Sequence, residues 1–128
     1  MGEPAPGGSH YVCVYNRTRG QAVADHARVA DGYFSRLVGL LGTTRRWARP
    51  GHGLWIVPSH GVHTLGMLYG LDLIFLDDSL VVVDVQENVR PFRISKVSLK
   101  SKSVLELPVD TILRTGTCVG DQLEMSVS

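Results

Sequence analysis

The chain has little cysteine, no charge excess and no long apolar run, and each shortage removes a class of protein. Two cysteines, Cys13 and Cys118, cannot make a disulfide scaffold. They lie near opposite ends of the sequence, so bridging them requires the first and last strands to be neighbours. Two buried free thiols are the expected state, and they point to a reducing compartment. No stretch of about 18 apolar residues exists, which excludes a membrane-spanning helix. Thirteen basic and twelve acidic residues leave a formal charge of +1, so the molecule as a whole does not attract polyanions. Internal repeats are absent, and so are the P-loop, the nucleophile elbow, G-x-G-x-x-G, H-E-x-x-H and C-x-x-C. Residues 1–10 are rich in glycine and proline without an apolar segment, and read as a flexible leader rather than a signal peptide. The expected location is cytoplasmic as written, or exported if a signal was trimmed.

What remains is ordinary globular material. The chain has 128 residues, 44% of them hydrophobic. A chain of that size folds as one domain, here residues 11–128, and buries roughly two-thirds of its surface without a metal or disulfide. Alternation predicts strands over residues 11–18 and 21–30, separated by turn chemistry at Asn16-Arg17-Thr18-Arg19-Gly20. Asp31 is placed to begin a helix, with Phe34, Leu37, Val38 and Leu41 on one stripe and Gly42 at its end. Residues 53–58 and 61–67 read as extended. Residues 71–76 and 80–86 form a hairpin about Asp77-Asp78-Ser79. Residues 97–107 alternate, with Val97, Leu99, Leu105 and Leu107 on one face and Lys100, Lys102 and Glu106 on the other. Residues 108–115 make a helical turn, and residues 122–127 close the chain. Short strands with one short amphipathic helix predict a mostly β (α+β) fold, a small closed or partly closed antiparallel barrel or sandwich.

The densest chemistry lies in Pro58-Ser59-His60-Gly61-Val62-His63-Thr64-Leu65-Gly66-Met67. His60 and His63 form an H-x-x-H pair, but in extended chain a spacing of three puts the rings on opposite faces, so no metal is expected there. Ser59 lacks a glycine elbow. His63, Asp72 and Glu106 make a second constellation: a histidine on a strand, held by a carboxylate, is suited to act as a general base. A buried polar network that fixes strand register is the alternative use of the same residues. Five acidic groups, Asp72, Asp77, Asp78, Asp84 and Glu87, precede five basic ones, Arg90, Arg93, Lys96, Lys100 and Lys102. Arg45, Arg46 and Arg49 surround Trp47. Basic, aromatic-containing segments suit nucleic acid, but the near-zero total favours paired, solvated strands, so nucleic acid is not expected.

The order of several segments resembles one bacterial and archaeal family. They are Ser35-Arg36-Leu37-Val38-Gly39-Leu40-Leu41-Gly42, Val62-His63-Thr64-Leu65-Gly66-Met67, Leu71-Asp72-Leu73-Ile74-Phe75-Leu76-Asp77, Glu87-Asn88-Val89-Arg90-Pro91, Val104-Leu105-Glu106-Leu107-Pro108 and Val119-Gly120-Asp121. The family is domain of unknown function family 192, and the resemblance covers about residues 14–125. It implies a compact, largely β, barrel-like domain. Its pattern falls on Arg36, Gly39, His63, Thr64, Met67, Asp72, Phe75, Asp77, Glu106 and Asp121. The resemblance also implies cysteine at the position of Ser59, proline at that of Gly70 and glycine at that of Asp110, where this chain departs.

The expected function is a small non-enzymatic binding or accessory module without cofactor or metal. Its polar cleft is expected to gather Arg36, His63, Thr64, Met67, Asp72 and Glu106 around a peptide, protein or small ligand. Two alternatives stand beside it. One is a hydrolase with His63 as base and Asp72 or Glu106 orienting it or holding a metal. The other is a structural polar network, with function elsewhere on the surface.

Overall fold

A computed structural model describes residues 10–31, 50–57, 70–89 and 100–127. The described residues form seven strands, β1 (His10–Asn16), β2 (Gln21–Asp31), β3 (His52–Val57), β4 (Leu71–Leu76), β5 (Val82–Val89), β6 (Ser103–Pro108) and β7 (Leu123–Val127), and a short helix, α1 (Thr111–Thr115). They form one sheet in the order β5-β4-β6-β3-β2-β1-β7. Every ladder is antiparallel except β2 against β3. The sheet curls into a half-barrel, and a bridge between Val81 and Gln122 ties its two edges at one end. Curling hides edges that would otherwise pair with other chains. The partly closed β architecture with a short helix is therefore present.

Local chemistry explains the turns. Asn16 accepts the Arg19 amide on its side chain at 3.0 Å, and Gly20 completes the β1–β2 turn at φ 66°. In the β4–β5 hairpin, Asp77 Oδ1 accepts the amides of Ser79 and Val81, each at 2.9 Å. That Asx-type turn sustains Leu80 at φ 63°. Asp110 stands at φ 72°, left-handed backbone that glycine adopts most easily, which is why the family resemblance implies glycine there.

Two apolar clusters occupy the two faces. The first takes residues from β1, β2, β4, β5, β6, β7 and α1, including Val14, Ala27, Ile74, Val82, Leu105, Leu107, Ile112 and Leu123. Only the concave face brings both edge strands together, so this cluster fills it. The second comprises Leu54, Ile56, Leu71, Leu73, Phe75 and Val104 on the convex face of β3, β4 and β6. All six residues of β4 are buried, as befits a strand covered on both sides.

Several expectations need correction or fall outside the described residues. The strand expected over 97–107 is β6, and it begins only at Ser103. Its Glu106 face is not solvated: Glu106 is buried together with the apolar residues Leu54, Leu73, Phe75 and Val104 of that face. Both cysteines are free, as expected, but neither is buried: Cys13 is partly exposed and Cys118 exposed. Asp31 is the last residue of β2, and the helix expected to begin from it falls outside the described residues. The predicted helix beyond it, the piece over 61–67, and Arg36, Arg45, Arg46, Trp47, Arg49, Ser59, His60, His63, Thr64, Met67, Arg90, Arg93 and Lys96 lie outside the described residues.

Candidate functional site

Register decides what the two expected carboxylates can do together. Across an antiparallel ladder, directly paired residues project from the same face. Glu106 on β6 pairs with Leu54 on β3 and with Leu73 on β4, both convex-face residues. Asp72 pairs with Leu107, which belongs to the concave core. The two acids sit on neighbouring strands, one position out of phase, and project from opposite sides of the sheet. They do not converge in one cleft, which corrects the expected grouping.

Asp72 is fully occupied. Its Oδ1 accepts the Asn88 amide and its Oδ2 the Ile112 amide, each at 2.9 Å. The first bond holds Asn88 at φ 52° beside an irregularity in the β4–β5 register. The second supplies an acceptor to the first turn of α1, whose own N-cap, Asp110, makes no side-chain cap bond. An acid inside the otherwise apolar run Leu-Asp-Leu-Ile-Phe-Leu is thus a clasp joining β4, β5 and α1.

Glu106 is the opposite case. It is 1% exposed, and neither carboxylate oxygen has a hydrogen-bond partner among the described residues. On the convex face its row across the sheet runs Gln86, Leu73, Glu106, Leu54, Arg28. Arg28, the cation of that row, stands two strands away and does not hydrogen-bond to the carboxylate. Burial among leucines therefore lifts the carboxyl to about 8, which leaves it protonated at neutral pH. A protonated carboxyl offers one O–H donor and an acceptor in an apolar setting.

A third polar centre, which reading the sequence for catalytic groups misses, lies at the end of the β1–β7 ladder. Asp121 Oδ2 accepts from Asn16 Nδ2 at 3.0 Å, Arg19 Nε at 2.9 Å and the Cys118 amide at 2.9 Å. Asn16 Nδ2 also donates to the Thr117 hydroxyl, which meets that of Thr115 at 2.7 Å. Desolvation pushes the Asp121 carboxyl up. The bonds from Arg19, Asn16 and the Cys118 amide, with the Arg19 charge, outweigh it and hold the group below its usual range. Asp121 belonged to the pattern of the family resemblance, but its side-chain partners Asn16 and Arg19 are 105 and 102 residues away in sequence, so no local signal could have named them. The centre is structural. Asp121→Ala is expected to lower stability by about 2 kcal/mol in urea melts near neutral pH, since it strands Asn16 and the Cys118 amide. A loss under about half a kcal/mol contradicts that role.

Among the described residues no group of three or more histidine, cysteine, aspartate or glutamate side chains is arranged to hold a metal ion. Nor is any described helix long and apolar enough to cross a membrane.

Comparisons with known proteins agree with this architecture. A Thermococcus sibiricus protein named UPF0127 protein is 31% identical over 118 residues, covering 88% of this chain and 73% of that relative. A crystal structure of a protein of unknown function from Novosphingobium aromaticivorans DSM 12444 superposes with a TM-score of 0.74 at 19% identity, over 97% of this chain and 91% of the other. Another crystal structure, from Sinorhizobium meliloti 1021 and described as a suspected transcription regulator, gives 0.73 at 22% identity, over 92% and 94%. At such identities the likeness to the two solved structures is one of fold. The family model for DUF192, described as Uncharacterized ACR, matches residues 14–125, and the chain belongs to that family.

Proposed function

We propose that this chain is a non-enzymatic binding module whose ligand is received on the convex face, against Glu106. The single observation behind this reading is a buried carboxyl with no partner among the described residues, on an apolar floor of Leu54, Leu73, Phe75 and Val104. A buried polar group without a partner costs about 1–3 kcal/mol, and a ligand that supplies the partner recovers it. Apolar floors with one or two fixed polar groups are the usual makeup of small-ligand and peptide sites. The fitting chemistry is a neutral acceptor, such as a peptide or amide carbonyl, flanked by apolar groups. His63, Thr64, Met67 and Arg36 stand as the further candidates for ligand contact. β3 and β4 run parallel on either side of β6, and the segment carrying His63, Thr64 and Met67 links them. Asp72 leaves the proposed site, because its oxygens already serve two backbone amides.

The test is a thermal-shift screen with short apolar peptides and amide-bearing fragments on three proteins. A ligand that stabilises the wild type should also stabilise Glu106→Gln, which keeps a donor and an acceptor, and should lose its effect on Glu106→Leu. Equal binding by the leucine variant removes Glu106 from the site.

A second reading is favoured by one observation. A carboxyl at about 8 is poised for proton transfer near neutral pH, which suits hydrolysis with Glu106 as general acid or base. Turnover of ester or amide substrates, abolished by Glu106→Gln, would favour it over the binding module. Regulation of transcription, the role attached to the Sinorhizobium protein, would instead show as nucleic-acid binding that falls steeply with added salt.

A further inference from the structure

A bulge in β2 brings two imidazoles together on the exposed part of the sheet. The β1–β2 register shifts between Val12 and Val14, leaving Cys13 opposite both Asp25 and His26. The amides of Asp25 and His26 both donate to the Gly51 carbonyl, at 2.8 and 2.9 Å. Ala24 and Ala27 on either side are buried, whereas Asp25 and His26 are exposed, so the extra residue turns both side chains outward. His26 is then in register with His52 on the parallel neighbour β3. Their ring centres are 5.6 Å apart with planes inclined by 43°, and Tyr11 meets His26 edge-on at 6.3 Å.

That separation has chemical content. A metal ion lies about 2.0–2.1 Å from a ligating imidazole nitrogen, hence about 3.2 Å from the ring centre. Two imidazoles on one tetrahedral ion therefore have centres about 5.2 Å apart, and a somewhat wider angle at the metal gives about 5.5 Å. The observed pair is within a few tenths of an ångström of that spacing, which small χ rotations supply. We propose that His26 and His52 form a surface site for a late first-row divalent cation, Zn²⁺ or Cu²⁺, with solvent completing the coordination. Imidazole suits these ions and is a poor ligand for Mg²⁺ or Ca²⁺. With two protein ligands the site is open and exchangeable, unlike a closed structural zinc centre. It shares the convex face with Glu106, two residues along β3 from Leu54, but its argument does not depend on the binding reading above.

The test is calorimetric titration of the full chain with Cu²⁺ and Zn²⁺ near neutral pH, with Mg²⁺ as control. Wild type is expected to take up one equivalent of either transition ion at this site and no Mg²⁺. His26→Gln and His52→Gln are each expected to weaken that binding about tenfold or more. The double substitution His60→Gln and His63→Gln is expected to leave it in place, separating it from the other histidine pair. The Cu²⁺ paramagnetic resonance spectrum of the unmutated protein provides a check that needs no variant, and should show two nitrogen ligands. The proposal is overturned if His26→Gln and His52→Gln bind as tightly as wild type. It also fails if the wild type takes up no ion before precipitating, or if uptake is lost only with His60 and His63.

Discussion

Between about pH 5 and pH 8 the protein is expected to lose stability as the solution becomes more alkaline, and Glu106→Gln is expected to remove that loss. The unfolded chain releases the Glu106 proton near the ordinary value of 4.5, whereas the fold retains it up to about 8. Within that window the native state binds the extra proton, so raising the pH favours unfolding. One such group gives a slope of about 1.4 kcal/mol per pH unit, and the accumulated loss is on the order of 3–5 kcal/mol. Below the window both states are protonated and the effect vanishes. Above it both are ionised and the full penalty persists. Asp121 acts in the other direction and elsewhere: its lowered carboxyl adds stability that is lost only as the pH falls below its ordinary value of 3.8. Urea midpoints across the range check the claim directly. A flat wild-type profile, or a glutamine variant with the same slope, overturns the account of Glu106 as a desolvated, unpartnered acid.

Replacing Asp72 is expected to produce the largest loss of any single change to the clasp. Asp72→Ala strands the amides of Asn88 and Ile112, both held by the carboxylate at 2.9 Å, and should cost about 3 kcal/mol. Asp72→Asn has one acceptor oxygen for two amides, so its cost should be about half as large. Hydrogen exchange should show the loss locally, with the Ile112 amide losing protection before the β-ladders do. Binding at Glu106 should survive in whatever fraction stays folded, because the two acids face opposite ways. If Asp72→Asn and Asp72→Ala are equally mild, the clasp is not what holds α1 to the sheet.

The sequence carries the strands and turns well because they are local. Alternation marks β1, the Asp77-Asp78-Ser79 tip sets the hairpin, and Pro108 with Gly116 brackets the helical turn. The site was less legible for a reason of register. Side chains alternate with period two, so a one-residue offset between β4 and β6 sends Asp72 and Glu106 to different faces. No local property of either strand encodes that offset. Glu106 also looked solvated because Lys100 and Lys102 share its parity. β6, however, starts after them and lies between β3 and β4 in the sheet. Asp72 did leave a signal, since one acid in an all-apolar strand demands partners. His26 and His52 left none, because their meeting depends on a bulge and on a parallel pairing.

The pairing of β1 with β7 has a consequence for the protein during its synthesis. Residues 10–16 leave the ribosome early, yet their second partner is residues 123–127. Until that late segment emerges, the first strand presents a bare ladder to whatever nascent chains are nearby. Pairings so distant in sequence also make for slow assembly. A stalled or shortened translation product would therefore be sticky rather than merely incomplete, and its fate would depend on the chaperones that meet it.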